Sequence, residues 1–392
     1  RVRNLIFNSL VRKDANFDYV GELASQIDTS PDGLVITFTL RDGVKFHNGK
    51  ELTSADVKYT FDELFNSNGY KSGAFFDTVN EQRVAHITAI EVPNAKTVIF
   101  KIARPELRNQ LLSNLVTIPI IPEGSVGTIK TQPIGSGPFK FVNFDSGQNT
   151  VEFEANTEYW EGSPKFSKLL VKTVTDASAM QAELQRGSVD IAPLPSNLPP
   201  DALKALGNEA NLKVEQFEGS NIQYLGLNTQ SAPLNNKKIR QAIGYAIDRE
   251  KIIRELLLDQ AKIANSILPP ASWAYSDGTV YRYDPEKAKQ LLKEAGYKDE
   301  PIKFKYSSGN AAFNQYAQAI QSSLTAVGLN VQIETIDPNA LREQLANGQF
   351  QLNTGVWIGG NQDPIFFRDL FTTERIPGGA IKCCNRGRYS NP

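Results

Sequence analysis

Along residues 34–40 the chain reads Leu-Val-Ile-Thr-Phe-Thr-Leu. Leu34, Ile36, Phe38 and Leu40 share one face, with Thr37 and Thr39 opposite, which predicts a strand with one buried side. Pro31-Asp32-Gly33 before it is turn chemistry. A different period follows. Thr53 can cap a helix, and Asp56 can reach back from three residues on, a shorter variant of the capping box. Val57, Phe61, Leu64 and Phe65 give that helix its apolar stripe. Residues 86–102 read as one or two further strands, so the first 145 residues look mixed, strand-rich and antiparallel.

From about residue 150 the pattern changes. Residues 151–154 and 169–174 are strands. Asp176 caps a helix running through Met180 and Leu184 to Gly187, and Val189-Asp190-Ile191 follows as a short strand. That order predicts a β-α-β unit and a partly parallel sheet. Residues 221–228 are another strand, and Asn235 or Asn236 can cap the helix after it, where Ile239, Ala242, Ile243, Ala246 and Ile247 keep the 3.6-residue period. Asp284-Pro285 opens a helix with the buried face Ala288, Leu291, Leu292 and Ala295, closed by Gly296. A helix over about 312–327 stops at Gly328; Leu329, Val331 and Ile333 alternate as a strand, and Asp337-Pro338 repeats the helix start. Helices alternating with strands give a second α/β unit from about 228.

With 392 residues, 40% apolar and 22% charged, the chain has room for two or three domains and is neither low-complexity nor collagen-like. No run approaches the about 18 apolar residues of a membrane span. Forty-two basic against 43 acidic side chains leave a net charge of −1, which argues against a nucleic-acid binder. The first residue is Arg1, not Met, so a processed or trimmed N-terminus is expected; Asn391-Pro392 suggests truncation at the other end. Cys383 and Cys384 are adjacent, so a bridge between them is strained and two reduced thiols are expected, with pairing to a Cys of a missing tail as the alternative. Two histidines, His47 and His86, weigh against His-based chemistry.

Catalytic constellations are missing from the sequence. Gly135-Ser136-Gly137-Pro138 is no nucleophile elbow, since Ile134 precedes it, and no dinucleotide fingerprint, since Lys140 stands where the third glycine belongs. There is no P-loop, no His-Glu-x-x-His and no Cys-x-x-Cys. No catalytic residue, metal site or cofactor is therefore expected.

Several segments, in order along the whole chain, resemble solute-binding family 5, the receptors of peptide- and nickel-type ABC importers. Leu5 to Val11 is similar to the opening aromatic-x-x-Leu-Val segment. Glu22-Leu23-Ala24, Asp32-Gly33, the run from Phe38 to Gly49 and Thr53-Ser54-Ala55-Asp56-Val57 are close to the family signature. Gly135-Ser136-Gly137-Pro138-Phe139 matches the Gly-Thr-Gly-Pro-aromatic turn, and Asn156 with Tyr159-Trp160 the Asn-x-x-Tyr-Trp element. Asn228, Pro233-Leu234, Ile239-Arg240-Gln241-Ala242, Ala246-Ile247-Asp248-Arg249, Asp284-Pro285-Glu286-Lys287-Ala288, and Trp357 with Asp363-Pro364 complete the set. Read physically, most of these residues maintain the fold: Asp42-Gly43 suits a turn, and Trp160 suits core packing.

The resemblance implies an α/β fold of the two-lobe periplasmic-binding-protein type II kind, with an extra α+β subdomain inserted in the first lobe. Residues 1–21 and 141–227 would form the first lobe, 22–140 the insertion and 228–392 the second lobe, whose return to the first lobe is missing. It implies a periplasmic or extracellular receptor, lipid-anchored in one version through a missing N-terminus. Such a receptor is a monomer that delivers a small solute to the transmembrane subunits of an ABC permease. In peptide binders the third residue after the Trp of this segment is an Asp that pairs with the peptide's α-ammonium; here it is Gly360. Gly226 is likewise small where oligopeptide binders can carry an acid. A neutral polar solute, peptide-like or an oligosaccharide, becomes plausible, and Trp357, Asn361, Gln362, Tyr224 and Asn8 supply the aromatic faces and amides that would hold it. The plainer alternatives are core for Trp357 and Tyr224, a solvated loop for Asn361 and Gln362, and a turn or capping role for Asn8. A metal chelate is the weaker solute. The rival functions are a hydrolase using a carboxylate pair and a sensory or chaperone-like receptor on the same fold.

Overall fold

The computed structural model describes the chain apart from residues 1, 17, 68, 80–81, 194–197, 218, 220, 271, 273, 309–310, 359–363, 365, 379–383 and 392, and the side chains of 70, 78–79, 311–312, 358 and 366. The chain divides into two compact units, 1–173 and 174–392. The boundary lies inside the segment assigned from sequence to the first lobe, and the three-part division is taken up again under the proposed function.

In the first unit the alternation at 34–40 becomes the Val35–Leu40 strand. It lies inside a four-stranded antiparallel sheet, between Ala24–Thr29 and Thr97–Ile102, with Ile87–Asn94 at the far edge. The Ser54–Asn66 helix packs on this sheet. Its start follows the sequence: the Asp56 carboxylate accepts from the Thr53 N–H at 2.9 Å and from Thr53 Oγ1 at 3.0 Å. Between helix and sheet, Phe61 meets Phe100 edge-on at 5.1 Å, and Phe100 meets Phe38 at 5.4 Å. Rings at these spacings add attraction beyond the area they bury. A second, three-stranded antiparallel sheet joins Phe139–Asp145, Thr150–Ala155 and Lys168–Lys172.

The Gly135-Ser136-Gly137 turn binds this unit together. The Gly137 N–H donates to the Ile6 carbonyl at 2.8 Å, and a Cβ on Gly135 would stand 2.0 Å from that same oxygen, so only glycine fits. His47 serves the same turn. Its Nδ1 accepts from the Gly135 N–H and its Nε2 lies 3.0 Å from the Gly137 carbonyl, while burial lowers its pKa and favours the neutral ring.

The second unit is built on a four-stranded mixed sheet in the order Asn221–Leu227, Leu352–Ile358, Ile302–Ser307, Val331–Ile336. The first pair is antiparallel and the other two are parallel, and the Ala311–Ala326 helix connects Ile302–Ser307 to Val331–Ile336. The predicted caps are in place: Asp176 accepts from Ala179, Asn236 from Lys238, Asp284 from Lys287, and Asp337 from Asn339 and Ala340. Gly296 ends its helix in the left-handed conformation at φ +66°. Leu234, Ile243, Leu292, Phe304, Leu324 and Leu352 lie in the main core of this unit.

Two expectations are corrected. Val189-Asp190-Ile191 is not a strand. Ile191 is exposed, and the Ala177–Gln185 helix packs instead against the Pro200–Leu206 helix around Leu184, Leu198 and Leu206. The parallel pairing foreseen there occurs in the 302–358 region. Cys384 is disulfide-bonded, not a reduced thiol; Cys383 lies outside the described residues.

Candidate functional site

Two polar constellations, one in each unit, bear on the candidate site, and they differ in kind. In the first unit the centre is Asn8, 3% exposed. Its Nδ2 donates to Glu22 Oε1 at 2.8 Å and to the Tyr159 hydroxyl at 3.3 Å. Its Oδ1 accepts from Ser136 Oγ at 3.2 Å and Trp160 Nε1 at 3.3 Å. An amide can make four hydrogen bonds, and all four are made inside the protein. Asn8 therefore positions Glu22, Tyr159, Trp160 and the Ser136 turn, and its side-chain amide is fully engaged within the protein. Trp160 packs against the sheet core, with the Arg41 guanidinium 4.7 Å from its ring.

Around this hub the acids titrate in different directions. Burial raises the Glu22 carboxyl, against the pull of the Asn8 and Ser9 hydrogen bonds. Burial also pushes the Tyr159 phenol up to about 12, while the hydroxyl donates to Glu161 Oε2 at 3.0 Å. For Glu161, burial acts upward but Arg12, 2.8 Å away, and Tyr159 hold it below the usual carboxylate range. Arg12 is ion-paired with Glu161, and Arg41 Nε donates to the Glu22 backbone carbonyl at 2.6 Å.

In the second unit the sheet register sorts the candidates. Leu227 pairs with Leu352 and Leu225 with Thr354, and these leucines belong to the helix-covered core. Residues opposite one another in an antiparallel pair share a face. The intervening pairs, Ile222 with Trp357, Tyr224 with Gly355 and Gly226 with Asn353, therefore lie on the other face. Tyr224 and Trp357 are thus brought to one face, one residue pair apart on neighbouring strands. Both are half-buried. A Cβ at Gly355 would stand 2.8 Å from the Tyr224 hydroxyl oxygen, and one at Gly226 2.4 Å from Asn353 Oδ1. The two glycines leave the room that Tyr224 and Asn353 occupy. Gly360, Asn361 and Gln362 lie outside the described residues.

Sequence reasoning missed Asn353, Glu22 as a buried acid, and the closed bonding of Asn8. A strand pattern marks which residues share a face, but partner strands decide what stands beside them. Among the described residues no group of three or more His, Cys, Asp or Glu is placed to hold a metal, and no helix is long and apolar enough to cross a membrane.

Comparison with known proteins adds the lineage. Residues 18–378 match the family described as bacterial extracellular solute-binding proteins, family 5 Middle. Heme-binding protein A of Haemophilus influenzae is 28% identical over 98% of this chain and 74% of its own length. The dipeptide-binding protein of Escherichia coli is 29% identical over 94% and 73%. Among solved structures, NikZ from Campylobacter jejuni in complex with Ni(L-His) has a TM-score of 0.84 at 28% identity, covering 99% of this chain and 79% of that one. The oligopeptide-binding protein AppA from Bacillus subtilis, in complex with a nonapeptide, has 0.83 at 27%, covering 100% and 79%. This chain spans about three quarters of the length of these relatives. The likeness shows the fold class implied by the sequence, α/β of the two-lobe periplasmic-binding-protein type II kind. It also shows a binding receptor and not an enzyme, working outside the cytoplasm. With the match unbroken from 18 to 378, the chain belongs to the bacterial extracellular solute-binding proteins of family 5.

Proposed function

We propose that the chain captures an uncharged polar or peptide-like solute by closing two lobes about a hinge, and hands it to the transmembrane subunits of an ABC permease. Contacts made by both lobes favour the closed state, which the permease reads. The lobes of this reading are 1–21 with 141–227 and 228–392, with 22–140 as an insertion; it acts as a monomer, secreted or lipid-anchored. The solute face is the one carrying Tyr224 and Trp357, and the family resemblance adds Gly360, Asn361 and Gln362 as candidates.

One observation carries the solute chemistry: on the strand pair that holds both aromatic candidates, positions 224, 226, 353, 355 and 357 of their face carry no acid, and Glu334, two strands away on the same face, is paired with Lys303 and Lys305. Gly360 adds to this, being neutral where peptide binders of the family carry Asp. A buried α-ammonium without a counter-charge costs several kcal/mol, so a solute without a free ammonium fits best. Identity near 28% does not choose the solute, since relatives at that level are named for heme and dipeptides. Oligosaccharides and metal chelates stay as alternatives.

Calorimetry with di- to pentapeptides, free and N-acetylated, tests the reading. Acetylated peptides are expected to bind at least as well as free ones. Micromolar binding of free peptides that disappears on acetylation would show that another carboxylate supplies the anchor.

A further inference from the structure

Asn353 was not marked by any sequence signal, yet it is the unusual residue of the Tyr224 face. It is 5% exposed, and its amide makes no hydrogen bond to any described residue. Its side-chain oxygen and nitrogen are not fully buried, so their bonding capacity is open to water or to a solute. Its direction is fixed: Oδ1 points into the space above Gly226, 2.4 Å from where a Cβ would stand. Tyr224 lies beside it. Ring atom Cε2 is 3.4 Å from the same Cβ position, and the hydroxyl is 2.8 Å from the Cβ position of Gly355. The ring therefore reaches across the strand pair from one glycine to the other, with the amide at one end. The Tyr224 hydroxyl also makes no hydrogen bond to any described residue.

The charged groups on this face are engaged with one another and with the protein. Lys305 is a cation on the same face, next to Asn353 in the register. Its Nζ is committed to Gln344 Oε1 at 2.9 Å and the Gln349 carbonyl at 2.7 Å, with Glu334 at 3.6 Å. What is left for a solute is a donor and an acceptor on one amide, a hydroxyl, and an aromatic ring. That set suits a peptide group or a sugar hydroxyl and supplies no formal counter-charge for an ion.

We infer that Asn353 is a specificity-determining residue of this receptor: its amide, with the Tyr224 hydroxyl, bonds an uncharged amide or hydroxyl of the solute and fills the room an acid at position 226 would need. The inference rests on the reading in which this face receives the solute. It also explains why Gly226 cannot take an acidic side chain while Asn353 keeps its place.

The test uses calorimetry and thermal melting of the whole chain with three probes: trialanine capped by N-acetyl and C-amide groups, free trialanine, and cellotriose. Capped trialanine binding identifies an amide solute, cellotriose a hydroxyl one. Asn353→Ala should weaken the probe that binds by about tenfold and leave the Tm of the free protein essentially unchanged, because the amide bonds no described residue. A Tm several degrees lower, or unchanged affinity, overturns the inference, since Asn353 is then structural or idle. Asn353→Asp keeps the shape and should shift preference from capped to free trialanine; an unshifted preference also overturns it. If free trialanine alone binds, the neutral-solute reading fails, and Asn353 is still decided by the loss of that binding in Asn353→Ala. Binding of none of the three overturns both.

Discussion

Two asparagines, nearly equal in burial, do opposite things in the two units. Asn8 is 3% exposed and uses its whole bonding capacity on Glu22, Tyr159, Ser136 and Trp160. Asn353 is 5% exposed and makes no side-chain hydrogen bond to any described residue. Burial alone thus says little about whether a polar side chain serves the fold or a ligand. The state of its hydrogen bonds decides: a saturated amide holds segments distant in sequence together, whereas an unsaturated one keeps bonding capacity that a solute can use.

That contrast can be broken at several points. The largest effect is expected from Asn8→Ala, which leaves Glu22, Tyr159, Ser136 and Trp160 each short of a partner in a buried setting. A stability loss of about 3 kcal/mol is expected in urea unfolding. A loss under about 0.5 kcal/mol would remove Asn8 from the architecture and reopen it as a solute contact.

Next comes Asp56, fully buried and bonded by Lys50, Thr53 and the Glu123 N–H. Burial pushes its carboxyl up, but these bonds together hold it below its ordinary value. A depressed folded pKa gives stability that is present above the unfolded value and is lost as pH falls through the folded one. Asp56→Asn should cost about 2 kcal/mol at neutral pH and flatten the acid side of the stability profile. Glu22 acts with the opposite sign. Its folded pKa is raised by burial, so lowering the pH through that value relieves a cost, and Glu22→Gln should abolish the relief. Stability curves of the two variants from pH 7 to pH 3 would show the slopes changing in opposite directions.

A smaller effect belongs to the second unit. Gly360→Asp should improve the affinity of free trialanine by about tenfold, and should not help cellotriose. Equal gains for both would mean that position 360 does not meet an ammonium. The smallest effect on stability is expected for Gly226→Ala. Its Cβ displaces only the end of the Asn353 side chain, so unfolding should change by less than about 1 kcal/mol while the neutral probe binds less well. A large loss of stability with normal binding would reverse the contrast between the two asparagines.

Local structure was largely legible before the fold. The strand Val35–Leu40, the Thr53–Asp56 helix start, the caps at Asp176, Asn236, Asp284 and Asp337 and the stop at Gly296 all follow from the residues at those positions. These are short-range effects: alternation, a side chain reaching three residues along, a glycine at positive φ. The strand expected at 189–191 failed because a three-residue apolar run has no fixed meaning until a partner strand is beside it, and here the helices around Leu184 and Leu206 took its place.

For the candidate site the division is sharper. Tyr224 and Trp357 could be named from the sequence because aromatic residues in a matching family segment are visible one at a time. That they share a face was decided by the register pairing Ile222 with Trp357 and Tyr224 with Gly355. Asn8 and Asn353 have the same side chain, and nothing in the sequence separates their roles. Residues 128 and 152 positions away close the bonds of Asn8, while a glycine on the neighbouring strand leaves Asn353 its space. The sequence by itself determined the family, the element starts and stops and the lack of catalytic motifs, because each depends on residues close together in the chain. Only the tertiary structure decided which buried amide is satisfied, because hydrogen-bond partners are supplied by segments that meet only once the chain has folded.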